Sequence, residues 1–291
     1  MKTIETAIMP FGGAGTRVLP ATWAIDKPLL AISEGERLTP MVSIMVDECA
    51  LAGIKRILMV TTERGQRQLQ DLFGPINPHL EAQLIGLGKK DILEAEKERR
   101  NSLPIIEWVN QPKGKYGTAY PPSLAHEHLR GEKNFVLLGG DDFVWREDGT
   151  SELSDAISLL DKAGTDHVIM GNPLKKRSEG PKYGILQTHE NGRLRFIDER
   201  PPLERVPENP IMNISRYILS DKIWGCIGEV IARKLKEGEE YRITDVINQA
   251  IDLDQSFQVH PVSGEYFDCG SPGGLLEASN YFTAHPRKIA T

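Results

Sequence analysis

The chain has 291 residues, 40% of them apolar and 26% charged, enough to bury a sizeable core. Its 35 Lys and Arg against 41 Asp and Glu leave a net charge of −6, which argues against nucleic acid or a membrane surface as a partner. Any anion site must therefore gather its cations locally. The three cysteines, Cys49, Cys226 and Cys269, make no C-x-x-C pair and suit a reducing compartment, with neither a disulfide framework nor a zinc site.

Residues 4–9 form an apolar run that reads as a buried strand. With no signal peptide ahead of it and no apolar run of transmembrane length, the expected location is the cytoplasm. The run enters a turn containing Gly12, Gly13 and Gly15, followed by two cations, Arg17 and Lys27. Glycines leave backbone N–H groups open to phosphate or base atoms. Arg17 stands where a dinucleotide fingerprint needs its third glycine, and no Gly-Lys-Ser/Thr closes a P-loop. Taken alone, the turn is equally compatible with a tight structural loop.

Residues 40–51 read as an amphipathic helix closed by Gly53, residues 54–61 as a buried strand and 66–73 as a short helix. This order predicts a parallel sheet with right-handed crossovers. The charged segment 89–100 predicts a solvated helix, 105–109 a strand, and 111–119 a Lys/Gly-rich loop. Residues 135–138 are a core strand running into Gly139-Gly140-Asp141-Asp142. A helix over 151–163 and a strand over 167–170 follow. Strands over 183–188, 194–197 and 212–219 come next, with Asn191-Gly192 as a hairpin turn. Helices over 221–236 and 244–251, a strand over 257–262 and a helix over 273–281 complete the chain. There is no repeat and no low-complexity linker, so the pattern predicts one α/β domain with β-rich additions in its second half.

Asp141 follows a buried strand, at the edge that faces the ligand crevice of an open parallel sheet. A carboxylate there can hold Mg²⁺ beside a triphosphate, because Mg²⁺ prefers few protein oxygens together with substrate oxygens and water. The bland alternative is a helix cap or turn aspartate. Asp268 follows another strand pattern and would complete a divalent-metal site if the two acids met. Arg17 and Lys27 are the matching charges for phosphoryl or nucleotidyl transfer, which needs aligned and neutralised phosphates. Glu199 and Arg200 stand side by side at a strand end before Pro201, the one suited to sugar hydroxyls and the other to a phosphate. A charged sheet edge would look the same.

The run Gly12-Gly13-Ala14-Gly15-Thr16-Arg17-x-Leu19-Pro20-Ala21-Thr22 resembles the G-x-G-T-R-x-L-P-A-T signature of bacterial UTP–glucose-1-phosphate uridylyltransferases, within the sugar-1-phosphate nucleotidyltransferase superfamily. Lys27, Gln111, Gly117-Thr118-Ala119, Leu138 to Asp142, Tyr183-Gly184, Glu199-Arg200-Pro201, Arg216 to Ser220, Ile243-Thr244-Asp245 and Asp268-Cys269-Gly270 match in the same order. The resemblance implies a Rossmann-like, mostly parallel mixed sheet flanked by helices. Residues 1–145 would serve mainly the nucleotide and 146–291 mainly the sugar phosphate. It further implies Mg²⁺-dependent attack of a sugar-1-phosphate on a nucleoside triphosphate, and a homo-oligomer.

Carried over by position, the loop of Gly12, Gly13, Ala14, Gly15 and Thr16 binds the nucleotide, with Gly12 and Gly13 holding base and ribose. Arg17 grips the outer phosphates and Lys27 those near the reacting centre. Gln111 reads the base edge beside Gly117. Asp141 holds Mg²⁺, with Asp268 as second ligand. Tyr183, Gly184, Glu199 and Asn213 line the sugar pocket, and Arg200 meets the sugar phosphate.

The chain departs from the family pattern at Trp23 (usually Lys), Pro28 (usually Glu) and Arg200 (usually Lys), and Pro121-Pro122 is expected to interrupt a helix after Gly117. Another base, another sugar or cyclitol phosphate, and a weakly active nucleotide-sugar-binding regulator are the alternatives to UTP and glucose-1-phosphate.

Overall fold

The computed structural model describes residues 4–287, and every count below refers to these. The strands in chain order are β1 (Thr6–Pro10), β2 (Ala31–Glu34), β3 (Arg37–Pro40), β4 (Arg56–Thr61), β5 (Ile105–Asn110), β6 (Asn134–Leu138) and β7 (Asp142–Trp145). They continue with β8 (His167–Pro173), β9 (Gly184–Thr188), β10 (Leu194–Glu199), β11 (Ile211–Ser220), β12 (Phe257–Pro261) and β13 (Glu265–Asp268). Nine of them form one sheet with the order β10-β9-β11-β6-β1-β4-β5, and β8 and β12 branch from β11. The pairings make β10 and β11 antiparallel to the rest, so the sheet is mixed and mostly parallel.

Alternation along the strands divides the core. Ala7, Met9, Ile57 and Met59 point to the face covered by helices Met41–Leu51, Glu152–Ala163 and Pro272–Ala284. Ile8, Leu58, Val60 and Leu137 point to the face covered by Tyr120–Ala125, Ile223–Ala232 and Ile243–Asp252. Both faces are buried, which is why these strands read as continuous apolar runs. Among the described residues no helix is long and apolar enough to cross a membrane.

The segment 89–100 is a helix, Lys90–Ser102, laced by Glu96 pairs to Arg99 and Arg100, and Asn191-Gly192 does turn the β9–β10 hairpin. Pro121 and Pro122 do not interrupt a helix. They sit in the first turn of Tyr120–Ala125, where their missing N–H groups have no intrahelical partner to lose. Helix 221–236 is shorter than its pattern, ending at Ala232. The β2–β3 hairpin, the helix Pro78–Gly86 and the separate β7–β13 ladder were not legible, being short or, in the helix, without a single buried residue.

Candidate active site

The parallel strands β1, β4, β5 and β6 all end at the same sheet edge, and the loops that follow them build the site. β1 lies between β4 and β6, so successive connections leave it in opposite directions and open a crevice there. Phe11 N–H donates to Val60 O (2.7 Å), and Gln111 N–H to Thr61 O (2.8 Å). These bonds carry sheet order just past the strand ends. A Cβ at Gly12 would overlap the side-chain amide of Gln111, so the glycine lets that amide sit against the turn.

A cleft of about 210 Å³ runs over this edge between Gly12, Gly13, Lys27, Gln111, Gly117 and Asp141. The Oε1 of Gln111 is buried in its wall without a hydrogen-bond partner among the described residues. Gly117 sits at φ +119 with the backbone of Tyr241 packed against it, tying the 111–119 loop to the segment before helix Ile243–Asp252. Ala119 N–H donates to Tyr241 O (2.8 Å) and Tyr241 N–H to Tyr116 O (3.0 Å). A second cleft of about 460 Å³ is lined by Arg17, Tyr183, Gly184, Glu199, Arg200 and Asn213, together with Asp268. The two clefts share Thr118, Asp141, Ser215, Tyr217, Glu240 and Ile243. Ala14 and Thr16 are exposed and line neither cleft, and Gly15 (φ +61) instead packs on Thr22 and Lys27.

Where the clefts meet, the charged residues converge. Lys27 Nζ lies 2.6 Å from Asp141 Oδ2, and the Arg17 guanidinium spans Asp141 (3.2 Å) and Asp268 (3.5 Å). Asp268 reaches this point because β13 pairs antiparallel with β7, setting Asp268 opposite Asp142, while Cys269 N–H donates to Asp141 O (2.9 Å). Burial, reinforced by the charges of Asp141 and Asp268, pushes the Asp142 carboxyl up to about 8, against the Tyr266 hydroxyl that donates to it at 2.5 Å. The Asp141 and Asp268 carboxylates, each paired to a cation, thus converge beside the buried Asp142 carboxyl. No group of three or more His, Cys, Asp or Glu forms a ready metal cage among the described residues.

In the second cleft, Glu199 pairs with Gly184 across β10 and β9, and Arg200 N–H donates to Tyr183 O (3.0 Å). Arg200 adopts φ +46, and its guanidinium meets no carboxylate among the described residues. Asn213 Nδ2 donates to the Tyr217 hydroxyl (2.8 Å) on the other side. All the sequence-derived residues except Ala14, Gly15 and Thr16 therefore line one composite cleft. The sequence reading missed Asp142, Tyr217, Glu240 and Tyr266, and it assigned nothing to Arg216. A cation in the middle of the apolar run 212–219 was the one available clue to the last.

A mostly parallel α/β sheet that gathers a glycine turn, two cations and two carboxylates at its carboxyl edge has the form of a nucleotide-handling enzyme. Residues 6–285 match the model of the nucleotidyl transferase family, and the chain belongs to that family. It is 29% identical over 293 aligned residues to the UTP–glucose-1-phosphate uridylyltransferase of Bacillus subtilis, covering 99% of this chain and 94% of the relative. A crystal structure of apo UDP-glucose pyrophosphorylase superposes with a TM-score of 0.82 at 27% identity, covering 97% of this chain and 99% of that one. A UDP-glucose pyrophosphorylase complexed with UDP-glucose gives a TM-score of 0.78 at 26% identity, with the same coverage.

Proposed function

We propose that this enzyme makes UDP-glucose and pyrophosphate from UTP and glucose-1-phosphate. A phosphate oxygen of the sugar phosphate attacks the α-phosphorus, the α–β bridging P–O bond breaks, and pyrophosphate leaves with the electron pair. The observation that carries the reading is the Arg17–Asp141–Lys27 cluster with Asp268 at the junction of two clefts. Base and sugar identity are supported by the names of the uridylyltransferase relative and of the UDP-glucose complex.

In this reading Gly12 and Gly13 receive base and ribose through backbone groups, and Gln111 offers its unpartnered Oε1 to the base edge. Ala14, Gly15 and Thr16 complete the nucleotide loop by shaping its backbone. Arg17 and Lys27 leave their carboxylates and take the triphosphate, which needs alignment and neutralisation more than covalent help. Asp141 and Asp268 would hold Mg²⁺, which when bound neutralises phosphate oxygens and raises the electrophilicity of the α-phosphorus. Glu199 accepts from sugar hydroxyls with Tyr183, Gly184 and Asn213 around the ring, and Arg200 binds the sugar phosphate. In the same reading residues 1–145 serve mainly the nucleotide and 146–291 mainly the sugar phosphate, although Ser215, Tyr217 and Glu240 also border the base-side cleft. A homo-oligomer is part of the same proposal, and light scattering on the purified chain checks it.

Asp141→Asn tests the reading. It abolishes metal-dependent pyrophosphate release while thermal unfolding stays near wild type; near-normal turnover would remove Asp141 from the machinery.

A further inference from the structure

We infer that Arg216 and Glu48, a fully buried pair outside both clefts, form a positioning device for the Asp141 turn. The inference rests on the proposed role of Asp141. Residues 139–142 leave the sheet between β6 and β7, and their backbone must be held for the Asp141 carboxylate to be held. Consecutive residues of β11 grip the two ends of that turn. At one end Gly139 N–H donates to Ser215 O at 2.7 Å. At the other, Arg216 Nη2 donates to Asp142 O at 2.5 Å.

The strand is irregular where it does this. Its register to β8 shifts between Asn213 and Arg216, and Ser215 stands at φ +54, a conformation that non-glycine residues adopt only when their surroundings enforce it. The bulge leaves Ser215 bordering both clefts while Arg216 turns into the core, with no exposed surface. There Arg216 Nη1 donates to both carboxylate oxygens of Glu48, each at 2.8 Å, from the helix Met41–Leu51. Glu48 thus holds the guanidinium in place, and the guanidinium holds the turn. The Nε of Arg216 finds no partner among the described residues.

Stability does not require such a pair. Desolvating two charges offsets their attraction, and well-packed apolar replacements of similar volume are often as stable or more so. What an apolar replacement lacks is a donor for Asp142 O. Arg216 and Glu48 touch neither substrate, so their effect on the reaction passes through Asp141.

The double variant Glu48→Met/Arg216→Met separates positioning from stability. The expected result is a melting temperature at or above wild type, kcat reduced tenfold or more, and a KM for UTP within twofold. UTP affinity measured by calorimetry without metal stays unchanged. A folded double variant with kcat within twofold of wild type would overturn the inference. If it fails to fold, Arg216→Lys decides the question. Lysine keeps the charge opposite Glu48 but cannot span both Glu48 and Asp142 O, so the inference requires lower kcat at unchanged UTP KM, and wild-type kcat contradicts it. Loss of turnover in Asp141→Asn with full turnover in both Arg216 variants would refute this device alone. Full turnover in Asp141→Asn would instead refute the reading of the site.

Discussion

Lys27 and Asp141, 114 residues apart in sequence, meet at 2.6 Å where the two clefts join. Each side chain retains 19% of its exposure, so the pair is shielded yet open to a ligand on one side. In the proposed mechanism the cations that take the phosphates are paired with the carboxylates that would hold the metal, and substrate and metal exchange these pairs for new ones.

Lys27→Met removes the charge at similar length. In the proposed mechanism it acts on charge that develops at the transferring phosphate, so kcat falls on the order of 10²–10³-fold, about 3–4 kcal/mol of transition-state stabilisation. Steady-state kinetics with both substrates varied checks this, and a change confined to KM would place Lys27 in ground-state binding alone.

Arg200 is held with φ +46 and has no carboxylate partner among the described residues, so its guanidinium is free to meet an incoming anion. Arg200→Ala is expected to raise the KM for the sugar phosphate by 10- to 100-fold, about 1.4–2.8 kcal/mol, with little effect on the KM for UTP. Equal effects on the two substrates would contradict the assignment.

Gly117→Ala places a Cβ at φ +119 against the backbone of Tyr241. Backbone strain of this kind costs about 1–3 kcal/mol, and overlap adds to it. The variant is expected to melt several degrees lower and to bind UTP more weakly, because the loop carrying Gln111 moves away from the segment beneath it. Differential scanning calorimetry and UTP titration measure the two effects.

His167 makes stability depend on pH away from the site. Burial lowers its pKa to about 4 in spite of the Gln255 side chain, which raises it; Nδ1 accepts from Ser220 N–H and Nε2 donates to Gln255, a neutral tautomer wedged against Phe257. Asp166 and Lys222 act on it in opposite directions. Between pH 6.5 and 4 the unfolded chain binds a proton that the native chain does not, so stability falls with pH through this window and is flat below it. The loss approaches about 3 kcal/mol at about 1.4 kcal/mol per unit. Urea unfolding at pH 7 and pH 5 is expected to differ less in His167→Asn than in the wild type.

What the sequence revealed follows from what each element depends on. β1, β4 and β6 are buried on both faces, so their apolar runs announced them without tertiary information. Arg17, Lys27 and Asp141 were recognisable because ordered motifs along the whole chain surround them. Asp268 could be named but not located: its place depends on the β7–β13 ladder, a four-residue pairing whose energy lies in cross-strand contacts rather than in local propensity. Pro121 and Pro122 were misread because proline breaks a helix interior but not a first turn, and composition alone does not say which turn it is. The Arg216–Glu48 pair was hidden for the opposite reason. Only the packing of helix Met41–Leu51 on β11 shows that both charges are inside.

The proposed function stands on the pairing of UTP with glucose-1-phosphate. A matrix of ATP, GTP, CTP, UTP and dTTP against a panel of sugar-1-phosphates, read by pyrophosphate release with Mg²⁺, tests it directly. The expected result is the highest kcat/KM for UTP with glucose-1-phosphate and no release with either substrate alone. A higher value for another base or another sugar phosphate, or no release from any pair by a protein that binds UDP-glucose tightly, would contradict it.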